Sequence, residues 1–232
     1  VEVLRVSDSP PPSLSWALMC NGERRDGGDL RWSPGDLQDW PEGLRFELRY
    51  APRLDPTLAN ATCDLMLTLD SSKSAVIGEV RVLARERTFS LPTSPQIPTE
   101  VKVGVWGRLV GVDLSADALW AGEPLTVTLY WKASGGAERD YTVFVHLTDE
   151  MGTVWAQSDA QPQGGQAPTS SWIPGQVIVD RHRLRLPEPL PAGRYFLWAG
   201  MYAPETGYRM PLDRDGVRLP DDRVRLKAFS VR

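Results

Sequence analysis

Hydrophobic and polar residues alternate along much of the chain, and this period of two predicts β-strands. Residues 44–50 show the pattern most clearly, because an apolar side chain alternates there with a charged one throughout. Residues 63–69 and 79–84 behave similarly. No long segment carries the i, i+3, i+4, i+7 apolar stripe of an amphipathic helix. The pattern therefore predicts an all-β protein with little or no helix.

Short strands are also predicted at regular intervals in the second part of the chain. Their ranges are 101–106, 108–114, 125–132, 141–147, 153–158, 177–186, 194–202 and 223–231. Turn residues separate these strands, among them Gly122, Gly152 and Gly193. Strands at this spacing are typical of a β-sandwich or a barrel.

Residues 91–98 contain three prolines, which an internal strand rarely accommodates. A short, proline-rich segment of this kind is typical of a stiff, extended linker. We therefore predict two tandem antiparallel β-sandwich domains, immunoglobulin-like or fibronectin-III-like, over residues 1–94 and 95–232. The first domain is the shorter one.

Charge and composition narrow the class of protein. The chain has 232 residues and is 41% hydrophobic, which is enough for a substantial core. Its 30 acidic and 26 basic residues are mixed along the sequence and give a net charge of −4, so we expect no nucleic-acid partner. No apolar run is long enough for a membrane span. No signal peptide is visible, and a start at Val1 leads us to expect a processed protein or a fragment.

The two cysteines are predicted to face the same core. Cys20 shares its alternation phase with Trp16, and Cys63 shares its phase with Leu65. If both segments are strands, both sulfur atoms point inward. A Cys20–Cys63 disulfide is therefore expected, and two buried free thiols are the alternative.

Residue types that carry catalysis or hold metals form no recognisable motif. The only histidines are His146 and His182, and no spacing of cysteine, histidine and carboxylate fits a zinc site. Neither a glycine-rich phosphate loop nor a Gly-x-Ser-x-Gly nucleophile motif is present. We therefore expect no enzymatic activity, no metal and no cofactor.

Two predicted strands, 141–147 and 194–202, are apolar on both sides. A sandwich sheet needs only one buried face, so a second apolar row is either covered by other parts of the protein or used for binding. The first domain or the connection 157–173 is a candidate cover. The binding alternatives are stacking of a glycan on the rings and contact with another subunit. The candidate ligand or partner face consists of Phe144, His146, Phe196, Trp198 and Tyr202, and Trp172 is added to it.

Several short motifs of the second domain resemble one known module. They are Leu-Tyr-Trp at 129–131, the segments 140–147, 156–159 and 168–175, Val-Asp at 179–180, the segment 190–195, and 200–202 with Thr-Gly at 206–207. Together they are similar to an extracytoplasmic β-sandwich module of Chloroflexi-like bacteria, and the similarity covers residues 100–231. That module is found C-terminal to glycosyltransferase-like, mannosyltransferase-type membrane proteins and in uncharacterised surface proteins. The resemblance implies no transferase activity for this chain, because the membrane portion is absent.

These observations lead to an expected function. We expect a non-catalytic, secreted or cell-surface accessory module of a bacterial cell-envelope protein that binds a glycan or a protein. The alternative is a structural subunit of a surface assembly or fibre, which would associate with itself. The alternating segment 1–6 is a candidate strand for such pairing with a neighbouring molecule.

Overall fold

The computed structural model describes residues 2–4, 13–30, 45–47, 54–69 and 72–231. The chain forms two compact units, Val1–Arg85 and Glu86–Arg232. Regular structure is almost entirely antiparallel strand, and the helical part consists of three short 3-10 turns at Pro162–Gly165, Thr169–Ser171 and Pro220–Asp222. The prediction of an all-β, antiparallel sandwich-type fold is confirmed.

Unit 1 contains six described strands in two antiparallel sheets. They are β1 (Glu2–Leu4), β2 (Leu14–Cys20), β3 (Glu23–Leu30), β4 (Arg45–Glu47), β5 (Ala61–Leu69) and β6 (Lys73–Val82). One sheet has the order β3-β2-β5-β6 and the other is the pair β1-β4. Within segment 1–6, the described residues 2–4 form β1 and pair with β4 of the same chain, and pairing of this segment with a neighbouring molecule stays a prediction. The remainder of the predicted strand 44–50 lies outside the described residues.

Cys20 and Cys63 form the predicted disulfide. They stand opposite each other in the register of β2 and β5, with their Cα atoms 4.3 Å apart. Both are buried, next to Leu18 and Leu67 in the core of unit 1. The alternative of two free thiols is therefore wrong. The inward phase that the two cysteines share with their apolar neighbours is the physical reason for the pairing.

Removal of this crosslink is expected to destabilise unit 1 selectively. Replacing both cysteines with alanine should lower its free energy of unfolding by about 2–4 kcal/mol, because the crosslink restricts the unfolded chain. Hydrogen exchange would show the loss as faster exchange in peptides from β2 and β5. Peptides from unit 2 serve as the internal control. Alkylation of both cysteines in unreduced, denatured protein would contradict the disulfide itself.

Unit 2 is a sandwich of two antiparallel sheets built from ten strands. They are β7 (Ile97–Val103), β8 (Gly107–Leu114), β9 (Pro124–Ala133), β10 (Thr142–Asp149), β11 (Val154–Ala160), β12 (Val177–Arg185), β13 (Gly193–Tyr202), β14 (Leu212–Arg214), β15 (Val217–Arg218) and β16 (Val224–Val231). The four-stranded sheet has the order β11-β10-β13-β16, and the six-stranded sheet has the order β12-β9-β8-β7-β14-β15.

The core of unit 2 lies between these two sheets. The four-stranded sheet contributes Val143, Val145, Leu147, Tyr195, Leu197 and Ala199, and β9 contributes Leu125, Val127, Leu129 and Trp131, all of them buried. These residues occupy alternate positions of their strands, so the inner row follows directly from the period of two in the sequence.

The division between the units lies after Arg85, earlier than the predicted boundary after residue 94. Residues 86–96 belong to unit 2 because they bond to its sheets. The Arg87 guanidinium donates to the Gln176 side-chain oxygen at 2.6 Å, and Val177 N donates to the Thr88 carbonyl at 2.7 Å. Pro95 lies against Gly111, where a Cβ would come within 2.2 Å of the proline ring. The proline-rich segment is thus packed onto a sheet.

Candidate functional site

Five of the six candidate residues meet on the outer face of the four-stranded sheet. Phe144 and His146 come from β10, and Phe196, Trp198 and Tyr202 come from the neighbouring β13. His146 stands directly opposite Trp198 in the strand register. We call these five residues the aromatic face. The sheet is therefore apolar on both sides, as the sequence predicts.

Phe144 is the buried centre of this face. Its side chain is 1% exposed, whereas the other four residues are half-buried. Gly200 stands opposite Phe144 in the register, and a Cβ at Gly200 would lie 2.5 Å from the Phe144 ring. The absence of a side chain at Gly200 lets the ring lie flat across β13.

Arginine side chains cover the rings. The guanidinium carbon of Arg209 lies 4.9 Å from the Phe144 ring centroid, and that of Arg223 lies 4.2 Å from the Trp198 centroid. The Phe196 ring has two such neighbours, Arg194 at 5.5 Å and Arg225 at 5.8 Å. These separations are typical of cation–π contacts, each of which contributes about 0.5–1 kcal/mol at an exposed position. The cover comes from β13, from β16 and from the chain that joins them.

The connection 157–173 is not the cover, although we considered it as one. It lies against β12, where Gln163 N donates a hydrogen bond to the Asp180 carboxylate at 2.8 Å. The connection starts from the edge strand β11 and leads to the edge strand β12 of the other sheet. It therefore follows the open side of the sandwich rather than the outer face.

The rings of the aromatic face are tilted against each other. The interplanar angle is 51° between Phe196 and Trp198, 43° between Phe144 and His146, and 38° between Phe144 and Tyr202. A flat platform for sugar stacking needs coplanar, uncovered rings. The arrangement instead presents guanidinium groups at the surface with ring edges between them.

Hydrogen bonds fix the polar atoms of the face. The Asp159 carboxylate bonds His146 Nε2 at 3.0 Å and accepts from the Tyr202 hydroxyl at 3.3 Å. Trp198 Nε1 donates to Thr148 Oγ1 at 3.0 Å. Burial, and then the nearby charge of Asp159, raise the pKa of Tyr202, which therefore stays a neutral donor. These bonds hold the imidazole, the phenol and the indole of the face in place.

The arginines differ in their charge partners. Arg194 lies 3.5 Å from the Glu150 carboxylate, and Arg223 lies 3.0 Å from the Asp221 carboxylate. Arg209 donates to the Asp221 carbonyl at 3.1 Å. Arg225 has no carboxylate partner among the residues that the structure describes. The Arg225 guanidinium is therefore free to pair with an acidic or hydroxyl group of a ligand.

Trp172 does not belong to this face, so its inclusion in the candidate set is wrong. It is 1% exposed and lies in the core of unit 2, edge-on to Trp106 at a centroid distance of 5.5 Å. Its Nε1 donates to the Ala167 carbonyl at 2.9 Å. Gly107 makes room for the ring, since a Cβ there would lie 3.0 Å from it. The loop that carries Trp172 turns inward and inserts the ring between the sheets.

A buried polar chain in unit 2 was not predicted. His182 Nε2 lies 3.0 Å from the Asp180 carboxylate, and His182 Nδ1 lies 3.2 Å from Ser158 Oγ. Asp180 and His182 are each 1% exposed. This order of groups resembles a nucleophile relay, but a substrate cannot reach an imidazole buried to this degree. The chain joins β11 to β12 and so ties the two sheets together at one side. Its signal in the sequence is two polar residues in the inward phase of Ile178 and Leu184.

The described residues contain no helix long and apolar enough to span a membrane. They also contain no group of three or more histidine, cysteine or acidic side chains placed to hold a metal ion. Compared with known proteins, the sequence matches no family model and no curated protein.

Proposed function

We propose that this chain is a non-catalytic, extracytoplasmic accessory module of a bacterial cell-envelope protein, and that it binds a glycan or protein partner through the aromatic face. The observation that carries the proposal is the outer face itself, an aromatic row on a sheet whose opposite side already forms the core. The disulfide supports an extracytoplasmic location, because such bonds persist in oxidising compartments. The resemblance of residues 100–231 to an envelope module supports the setting.

The chemistry of the face favours a partner with polar groups spaced along an apolar surface. Guanidinium groups donate several hydrogen bonds in a fixed plane, which suits hydroxyl and carboxylate groups. Phe196 and Trp198 are half-buried, so their ring edges remain available for apolar contact between the arginines. Arg225 can turn toward a ligand at the cost of only one cation–π contact.

Substitutions on the face test this proposal against a panel of envelope glycans and an envelope protein extract. Arg225→Glu should weaken binding about 10-fold or more, because it reverses the charge beside Phe196 without altering the buried rings. Trp198→Ala should also reduce binding. The matched control is Trp120→Ala, which removes a 67% exposed tryptophan elsewhere in unit 2 and should bind like the parent. Equal binding by all four proteins would exclude the aromatic face.

The alternative role, a structural subunit that associates with itself, is favoured by one observation in unit 1. Strand β6 ends its sheet among the described strands, and it exposes 57% of Val76 and 47% of Ile77. An edge strand with exposed apolar residues can pair with another chain. Size-exclusion chromatography with light scattering tests this role. If the parent protein is oligomeric and Val76→Lys makes it monomeric, self-association through β6 is supported. A monomeric parent protein would contradict this role.

A further inference from the structure

A row of three arginines lies on the outer face of β12 in unit 2. Arg181, Arg183 and Arg185 occupy alternate positions and are exposed, while the residues between them are buried. Alternate residues of a strand share a face and are about 6.6–6.8 Å apart. The three guanidinium groups therefore form a regular array about 13 Å long.

The three arginines of this array are unpaired in charge: among the described residues, no ion pair includes Arg181, Arg183 or Arg185. Their cross-strand neighbours on β9 are uncharged, namely Thr128, Thr126 and Pro124. Three like charges on one strand repel each other, so an anionic partner would relieve an unfavourable arrangement.

One acidic side chain two strands from β12, Asp113, accepts hydrogen bonds from neutral groups. Asp113 of β8 stands opposite Thr128, which in turn stands opposite Arg181. Its carboxylate accepts from the Tyr130 hydroxyl at 2.6 Å and from Gln96 N at 2.7 Å. It forms no ion pair with the three arginines, and as a single carboxylate near the Arg181 end it leaves the row with an excess of positive charge.

The strand that presents the array is held firmly. β12 pairs with β9 over its whole length, from Val177 to Arg185. On its inner face His182 Nδ1 lies 3.2 Å from Ser158 Oγ of β11, which ties the strand to the other sheet. The fold thus sets the spacing and the common direction of the three arginine side chains before any ligand binds, which lowers part of the entropic cost of binding.

We propose that the β12 arginine row binds a linear acidic polysaccharide, with successive carboxylate or sulfate groups meeting successive guanidinium groups. Arginine suits this task because its planar donors match a carboxylate in pairs. The row lies on the six-stranded sheet, whereas the aromatic face lies on the four-stranded sheet. It is therefore a second binding surface and uses none of the residues of the proposed function.

Charged side chains on an edge strand also discourage pairing with other chains. That role is served by charges of either sign and by fewer residues, so it does not account for three guanidinium groups of one sign. The experiment below separates the two explanations.

The test titrates the full chain with an oligo-uronate (alginate fragments), with neutral dextran and with oligothymidylate at several salt concentrations. The variant Arg181→Gln/Arg183→Gln/Arg185→Gln removes the row. The variant Arg25→Gln/Arg214→Gln/Arg218→Gln is its control, because it removes three exposed arginines elsewhere. Trp198→Ala reports on the aromatic face in the same assay.

The parent should bind the oligo-uronate and not the dextran. Loss of the row should weaken that binding about 10-fold or more at low salt. The slope of log K against log salt should fall by about 1 for each arginine removed. The control variant and Trp198→Ala should retain uronate binding. If a glycan no longer bound to Trp198→Ala but still bound to the variant without the row, the proposed function would stand and this inference would be contradicted.

Three other results would overturn the inference. Equal loss in both triple variants would indicate general charge attraction. Oligothymidylate binding as tight as uronate binding would indicate a surface for any polyanion. A row variant that retains uronate binding but elutes as an oligomer would show that the arginines protect the strand edge only.

Discussion

Trp172→Ala is expected to lower the free energy of unfolding of unit 2 by about 3–5 kcal/mol. The ring fills the space beside Trp106 and Gly107, and its removal leaves a cavity that the two sheets cannot close. The substitution also leaves the Ala167 carbonyl without its donor. Denaturant unfolding followed by hydrogen exchange in β9 and β10 measures the loss.

Trp120→Ala is the matched control for this prediction. The same side chain is removed there, but from a site that is 67% exposed, so the change in stability should stay within about 0.5 kcal/mol. Comparable stability for the two variants would place Trp172 outside the core. It would then return to the candidate ligand face.

Asp180→Ala is the second substitution expected to have a large effect, about 3–5 kcal/mol. It removes the partner of His182 Nε2 and the acceptor of Gln163 N at the same time. The His182 donor would remain unpaired in the buried interior, whereas Gln163 lies in an exposed turn where water can replace the lost acceptor. The side of the sandwich where β11 meets β12 should then open first, which hydrogen exchange in those strands would detect.

A double variant isolates the cause of that loss. Asp180→Ala combined with His182→Leu removes both members of the pair and should recover part of the stability, because neither an imidazole nor a carboxylate is left buried without its partner. Glu205→Ala, in an exposed turn without left-handed backbone geometry, should have little effect. An Asp180→Ala variant as stable as the parent would show that the Asp180 carboxylate does not support the His182–Ser158 contact between the sheets.

Alternation along the chain was sufficient to predict eight of the ten strands of unit 2, but it did not reveal β3, β14 or β15. β10 and β13 begin and end within a residue or two of the predicted ranges, and their inner rows form the core. The same reasoning placed Cys20 and Cys63 in one core, because an inward phase is a property of local sequence, and the structure adds that they stand opposite each other. Periodicity also identified the second apolar row, although it did not show what lies over that row.

The cover of the aromatic face depends on residues distant in sequence. Arg209 reaches Phe144, and Arg223 reaches Trp198, only because β16 and the chain before it fold back beside β13. Arginine has a long apolar stem and a flat cationic head, so it can shield a ring and remain hydrated. A sheet with two apolar sides is thereby kept in water without a third layer. No pattern within β13 alone contains this information.

Trp172 and the β12 arginines show two other limits of sequence reasoning. Trp172 sits in a loop, where no alternation defines an inside, so its burial follows from tertiary packing alone. Arg181, Arg183 and Arg185 were visible in the sequence at alternate positions, but charge counted over the whole chain hides a local row. Counting charge by strand face would have revealed the row.

The indole resonance of Trp198 gives the most direct test of the proposal that the aromatic face is the binding surface. Its Nε1–H donates to Thr148, so a ligand that displaces Arg223 or Arg225 should shift this signal in a proton–nitrogen correlation spectrum. With the tightest binder from the envelope glycan and protein panel, we expect the Trp198 signal to move at saturation. The Trp172 and Trp120 signals should stay in place. A bound ligand that shifts Trp120 and leaves Trp198 unchanged, or a panel with no binder, would contradict the proposal.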